Sequence, residues 1–385
     1  MDTLKCVLCK KEYSGDTTHW RCTCGGRFEI PSAGTASGFT KESIERDSYS
    51  LWRYGAHIPV PPAYRITLGE GWTPLITRHF SGREVYIKLE HLFPSGSYKD
   101  RGAAVLVSKL KHLGIRRVVE DSSGNAGAAV AAYCAAAGIA ADIYVPASNS
   151  PDKLAQIRSY GARLVPVKGS RGDTAEAALR AAESSYYASH VWNPYFFEGT
   201  KTFAYEVWEQ LGFRAPDTVV LPAGNGTLLL GSLKGFKELK TSGLITKVPV
   251  HVAVQSASCA PLAEEAPSAH SSPTPPPDSP HPAPPPAPNP TIAEGIAIAQ
   301  PLLLNEMREG LRASGGYAIR VEEDEIVEAL GEAVESGLYI EPTAAAALAG
   351  LRTYAESADR KETIVGVVTG HGLKASGKIA SLLRK

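Results

Sequence analysis

Pro94-Ser95-Gly96-Ser97-Tyr98-Lys99-Asp100-Arg101-Gly102 sets a lysine where a small, flexible turn meets an apolar helix beginning Ala103-Ala104-Val105-Leu106. The positive end of the helix dipole and the neighbouring Arg101 both disfavour a protonated amine at Lys99. A neutral amine is what imine formation with a carbonyl compound requires. A lysine at a helix start is most often a solvated charge, so the chemistry depends on what else converges there.

Two loops supply anion-binding patterns. Ser122-Ser123-Gly124-Asn125-Ala126-Gly127 falls between a strand and a helix. Free backbone donors at that helix start, with two hydroxyls, make a cradle for a carboxylate. The Asn125 amide is able to hold a phenolic oxygen. A glycine turn with a serine cap is the plainer account of the same residues. Ala223-Gly224-Asn225-Gly226-Thr227 follows a strongly apolar strand. Its glycines let backbone amides point inward as an anion nest, and Thr227 adds a hydroxyl, although a bare tight turn fits the loop alone equally well. Neither the Lys-Ser/Thr ending of a nucleotide P-loop nor Gly-x-Gly-x-x-Gly is present.

A third pattern has metal-ligand spacing. Cys6-x2-Cys9 and Cys22-x-Cys24 stand 12 residues apart, with Gly25-Gly26 after the second pair. Two short knuckles at that distance close a four-thiolate tetrahedral site around structural zinc, with no position left open for catalysis. Metal-free thiols on a small β unit are the alternative. Cys134 and Cys259 are isolated and read as buried thiols.

The elements that must position these residues alternate. Strands are expected at 116–120, 141–146, 163–167, 218–223, 248–254 and 363–368, and helices at 125–137, 151–159, 173–185 and 227–239. Strand followed by helix, repeated, implies parallel sheets covered on both faces, an α/β fold. Residues 1–30 read as a zinc-ribbon-like unit, 31–115 with 191–385 as a large domain, and 116–190 as a small α/β domain. Inside the large domain lies a proline-rich loop, 266–291, whose core has 12 prolines in the 24 residues from Pro267 to Pro290. Such a stretch cannot donate regularly to a helix or sheet, so an extended surface loop is expected there.

Bulk properties narrow the partners. The chain has 385 residues, 43% hydrophobic and 21% charged, as in ordinary soluble proteins. Forty Lys and Arg balance forty Asp and Glu, so no overall field points to nucleic acid or a membrane surface. The most apolar run, 126–141, is shorter than the ~20 residues a membrane span needs. A cytoplasmic protein is expected, with a small anionic substrate captured by a local site.

Taken together, the three motifs resemble the fold type II pyridoxal-5′-phosphate (PLP) enzymes, and more narrowly threonine synthase and its relatives. Supporting residues are Leu68 to Leu75, the Ser-Gly-Ser-Tyr-Lys-Asp-Arg-Gly run, Thr291 to Ile298, Ser314 to Gly316, Glu341 to Ala345 and Thr369 to Lys374. The resemblance spans the chain apart from the proline-rich stretch. It implies two parallel-sheet domains with the active site between them, and a homodimer. It makes Lys99 the Schiff-base lysine and a later acid/base. Asn125 would contact the cofactor's 3′-oxygen. Gly224, Asn225, Gly226 and Thr227 would hold its phosphate, and Thr369 its pyridine nitrogen. Ser122, Ser123 and Gly124 would receive the substrate carboxylate, with Ser97 a further substrate contact. Cys6, Cys9, Cys22 and Cys24 would be the metal ligands.

The reaction so implied is loss of phosphate from O-phosphohomoserine and addition of water to give threonine. The sequence departs from the family pattern at Ala126, where Thr is usual, and at Tyr98, where Phe is common. Ser95, Ser97, Lys153 and Arg158 are candidates for a substrate phosphate. A β-replacement or β-elimination on O-phosphoserine or a related amino acid keeps every cofactor residue. A non-catalytic binding protein of the same fold is the remaining reading.

Overall fold

The computed structural model describes residues 3–31, 38–80, 82–263 and 291–384, without the side chains of 151–153. The proline-rich loop therefore lies, apart from Thr291, outside the described residues.

Strands β1 (Thr3–Cys6), β2 (Glu12–Ser14) and β3 (Phe28–Glu29) form a small antiparallel sheet in the order β2-β1-β3. Trp20 docks this unit: its indole N–H donates to the Ala182 carbonyl at 3.2 Å, and its ring meets Tyr187 and Trp192 edge-on. An antiparallel hairpin follows, β4 (Leu75–Phe80) and β5 (Arg83–Leu89).

Helix α1 (Lys99–His112) then leads into a βα series: β6 (Arg117–Glu120), α2 (Asn125–Ala137), β7 (Ala140–Pro146), α3 (Pro151–Ser159), β8 (Arg163–Val167), α4 (Arg171–Ala181) and β9 (Tyr186–Tyr187). Its four strands pair in parallel in the order β8-β7-β6-β9. Helices α5 (Pro194–Thr200) and α6 (Thr202–Gln210) return the chain to the hairpin. Next come β10 (Thr218–Pro222), α7 (Thr227–Thr241), β11 (Val250–Ser256), α8 (Leu304–Ser314), β12 (Tyr317–Val321), α9 (Glu323–Glu335), α10 (Pro342–Ser357), β13 (Ile364–Val368) and α11 (Ser376–Leu382). These complete a six-stranded sheet, β12-β11-β10-β13-β5-β4, parallel except at the β4 edge. The chain is thus an α/β protein built on two largely parallel sheets.

Every residue of β10 and β13 is buried, as expected of central parallel strands covered on both faces. Their carboxyl ends, with that of β6, open into the loops 223–226, 369–371 and 121–124, where open α/β sheets bind ligands. Helix α4 starts and ends earlier than expected. Ser170 accepts from the Asp173 amide and Asp173 reaches back to the Ser170 amide, a capping box that fixes its start. Its end leaves room for the short edge strand β9, which the sequence reading lacked.

Candidate active site

Three loops are sewn together around Lys99. The Tyr98 amide donates to the Thr369 carbonyl at 3.1 Å, and the His371 amide to the Gly96 carbonyl at 2.9 Å. Ser97 and Gly370 form an antiparallel bridge between these contacts. The lysine turn is therefore an extension of the end of β13. Its tip is held as well: Lys374 and Gln156 both donate to the Ser95 carbonyl, at 2.7 and 2.8 Å. Gly96, at φ +83°, makes the turn possible, and Lys374 packs where its side chain would stand.

The Lys99 amine donates to the Tyr98 hydroxyl at 2.5 Å and to the Thr227 hydroxyl at 2.9 Å. Thr227 is the first residue of α7 and closes the 224–227 loop. Gly226 adopts φ +77°, and no side chain caps this 15-residue helix. The amides of its first turn are therefore free for an anion. Both glycines are required by close neighbours. A Cβ at Gly226 would strike the Met307 sulfur at 2.2 Å, and one at Gly224 would meet the Gly295 carbonyl oxygen at 2.9 Å.

Asn125 opens α2, whose N-cap, Gly124, offers no side-chain cap either. Ser122 is buried and its hydroxyl accepts from the Gly124 amide at 3.3 Å. Ser123 is half-buried beside it. Gly127 lets α2 press against this loop, since a Cβ there would lie 1.8 Å from the Ser122 carbonyl oxygen. The Asn125 amide donates to both Glu341 carboxylate oxygens, at 3.0 and 3.1 Å. Glu341 stands just before α10 without a side-chain cap bond, and its backbone amide donates to the Gly370 carbonyl at 3.0 Å. Burial raises the Glu341 pKa, opposed by the Asn125 hydrogen bond and the charges of Lys374 and Lys99.

The structure thus brings Lys99 and Thr227 into contact, places Ser97 against Thr369-Gly370, and ties Asn125 to the same strand end through Glu341. Asn225 points elsewhere, its side-chain amide lying 3.4 Å from His190 Nε2. Two expectations are corrected. Arg101 does not stay beside the Lys99 amine; its guanidinium turns into a buried network with Glu90 (2.6 and 2.7 Å), Glu206 (2.9 Å) and Thr202 (3.0 Å). Ser95 is used internally, its hydroxyl and amide both donating to Asp100, and so is not free for a substrate phosphate. Arg158 is exposed on α3, and the Lys153 side chain lies outside the described residues.

Five participants had no role in the sequence reading. Tyr98 was noted only for its identity, and Glu341 and Lys374 only as parts of motifs. Glu120, fully buried, accepts from His190 Nδ1 at 2.9 Å. An acid ending the apolar run Val118-Val119 just before the serine loop was a visible signal; nothing marked His190.

The fit to PLP rests on polar groups left without partners. Thr369 and Ser97 hydroxyls are buried with no hydrogen-bond partner among the described residues. A buried hydroxyl so left costs about 1–3 kcal/mol, which a ring nitrogen or ligand oxygen would recover. With an amine between two hydroxyls and two uncapped helix starts, the donor set suits an aldehyde that also carries a pyridine nitrogen and a phosphate.

The cysteine set lies apart from Lys99. The four sulfurs of Cys6, Cys9, Cys22 and Cys24 all fall within 4.8 Å of one another, and all four thiols are free. A cleft of about 1040 Å³ runs between these knuckles and the small sheet, lined by Thr18–Gly25, Gly114–Arg117 and Ala182–Tyr186. It includes none of the residues around Lys99.

Residues 66–370 match the family model described as "Pyridoxal-phosphate dependent enzyme". The threonine synthase of Methanocaldococcus jannaschii is 34% identical over 383 residues, covering 96% of this chain and 92% of that protein. The threonine synthase of Methanosarcina acetivorans is 33% identical with the same coverage. Among solved structures, maize serine racemase superposes with a TM-score of 0.65 at 21% identity, over 80% of this chain and 90% of that one. Cysteine synthase from Entamoeba histolytica gives 0.65 at 20% identity, over 82% and 89%. At those identities the structures speak for a shared fold. The family match and the sequence relatives go further: this chain belongs to the pyridoxal-phosphate dependent enzymes, among the relatives of threonine synthase.

Proposed function

We propose that the chain is a threonine synthase that releases phosphate from O-phosphohomoserine and adds water to give threonine. One observation carries the reading: the Lys99 amine rests on Thr227 of an uncapped helix start, in a chain matched along nearly its whole length by threonine synthases.

PLP, when bound, supplies the electron sink for charge developing on the substrate. The protein does the rest. Lys99 would hold the cofactor, and its amine would move protons at successive substrate carbons, because a single mobile amine serves several steps. Tyr98 and Thr227 limit where that amine sits. The first amides of α7, with Gly224, Asn225, Gly226 and Thr227, bind the cofactor phosphate, and Thr369 takes the ring nitrogen. The uncapped start of α2, with Ser122, Ser123 and Gly124, receives the substrate carboxylate, Asn125 takes the cofactor's 3′-oxygen, and Ser97 turns a further buried hydroxyl to the substrate. Asn125 must exchange its Glu341 contact for a ligand oxygen to do so.

The cysteine cluster fits a structural zinc ion with four thiolates. The mutual approach of the sulfurs suits a tetrahedral site, and no histidine or carboxylate competes within the group. The metal would hold the two knuckles of the β1–β3 unit together and take no part in the reaction.

The test is phosphate release by the purified, PLP-loaded protein with O-phosphohomoserine and, in parallel, O-phosphoserine, with products identified by mass. Phosphate and threonine in equal amounts from the first are expected. Turnover of O-phosphoserine alone would replace this function with a β-replacement or β-elimination.

A further inference from the structure

The buried pair Glu120–His190 plays no part in the scheme above, yet it ends on the cofactor-phosphate loop. Glu120 is the last residue of β6 in the small sheet and is fully buried; His190, just past β9, is 6% exposed. His190 Nδ1 lies 2.9 Å from the Glu120 carboxyl, and its Nε2 lies 3.4 Å from the Asn225 side-chain amide. Asn225 belongs to the loop after β10 in the other sheet. An amide N–H donating to Nε2 places the ring proton on Nδ1, where it donates to Glu120. This arrangement holds whether or not the acid is ionised.

We propose that Glu120 and His190 are positioning residues that tie the small sheet to the cofactor-phosphate loop by holding the Asn225 side chain. The proposal rests on the reading of 224–227 as the phosphate site. Glycines on both sides of Asn225 leave that backbone free to turn, and preorganised donors bind an anion better than donors that must first be ordered. Two side chains of the loop, those of Asn225 and Thr227, reach partners outside it. Thr227 is held by the Tyr98 hydroxyl at 3.0 Å, and its carbonyl accepts from the Thr200 hydroxyl at 3.0 Å. Asn225 is fixed by His190.

Charge supports the assignment. Burial lowers the His190 pKa to about 3, helped by the positive charges of Lys99 and Arg171 and opposed by Asp121. Burial likewise raises Glu120 to about 8, opposed by the Asp121 and His190 backbone amides and by Lys99 and Arg171. A neutral His190 keeps Nε2 as an acceptor for Asn225 throughout the working range.

The experiment compares affinity for PLP with affinity for pyridoxal, which lacks the phosphate, using the visible absorbance of the Lys99-bound form. Variants are His190→Leu, Asn225→Ala, the double variant, and His190→Gln, whose side-chain oxygen replaces Nε2 as acceptor. His190→Leu is expected to weaken PLP by about tenfold, as for one lost buried hydrogen bond, while pyridoxal affinity changes by less than about twofold. The double variant is expected to be no weaker than either single one, because both remove the same contact. His190→Gln is expected to recover most of the PLP affinity, which separates lost positioning from lost folding. Equal weakening of PLP and pyridoxal, or no weakening of either, overturns the proposal. Equal affinities for the two ligands in the unaltered protein would instead remove the phosphate-loop reading itself, and the proposal with it.

Discussion

The Lys99 amine meets two hydroxyls, and the nearer belongs to the residue before it. The Tyr98 phenol is itself fixed, since it reaches the Thr227 hydroxyl at 3.0 Å and its backbone amide is bound to Thr369. A lysine that must move protons at several carbons benefits from a partner that limits its wandering. Tyr98→Phe removes one oxygen and keeps the ring packed. Losing one hydrogen bond costs about 0.5–1.5 kcal/mol, so turnover should fall about 2- to 10-fold. KM should change far less, because the phenol faces the amine and no substrate-binding group. Steady-state kinetics on the loaded enzyme test this, and an unchanged kcat would make the phenol a bystander. Lys99→Ala is the sharper case: covalent cofactor absorbance and turnover should vanish together, and activity retained without the amine would end the assignment.

Among the elements, apolar runs bounded by glycine and proline were legible, and the charged groups buried beneath them were not. Asn125–Ala137, Pro151–Ser159 and Arg163–Val167 have the bounds their sequence implies, because each is a periodic or alternating run with a clear stop. The two-residue strand β9 has too few residues to show a period, so only its pairing with β6 reveals it. The loops could be ranked by composition, but the contacts that converge them could not. Asn125 finds Glu341 across 216 residues, and Arg101 finds Glu206 across 105, separations that leave no local trace. The N-terminal unit makes its own prediction. Trp20 joins it to the small sheet through Ala182, Tyr187 and Trp192, while the four cysteine sulfurs of the knuckles lie within 4.8 Å of one another. Chelating the proposed zinc should loosen the knuckles and change Trp fluorescence while the visible cofactor absorbance stays constant. Loss of that absorbance on chelation would show that the unit supports the cofactor site.

For the whole molecule, buried neutral histidines set the response to acid. Burial holds His91 at about 4, His190 at about 3 and His251 at about 4, against 6.5 for a free histidine. His251 is the clearest, because it lies in β11 far from any proposed ligand. Its Nδ1 donates to the Pro249 carbonyl at 2.9 Å and its Nε2 accepts from the Ser232 hydroxyl at 2.8 Å, so the neutral ring is fully satisfied. Between pH 4 and 6.5 the unfolded chain binds a proton there that the folded chain does not. Its contribution to stability is therefore whole above pH 6.5 and is lost as pH falls. From pH 7 to 5 the loss is about 2 kcal/mol. Glu70 works in the opposite direction: burial raises it to about 7, so the folded chain binds the extra proton and stability falls as pH rises from 4.5 towards 7. A comparison that changes His251 alone leaves that term in place on both sides. His251→Gln, uncharged at every pH, should be less stable at pH 7 for want of a good fit, yet should lose about 2 kcal/mol less than the unaltered protein on going to pH 5. Urea unfolding at both pH values, with PLP saturating throughout, measures the difference. Equal acid losses in the two proteins would mean that His251 is already protonated in the fold, with Ser232 turned to accept.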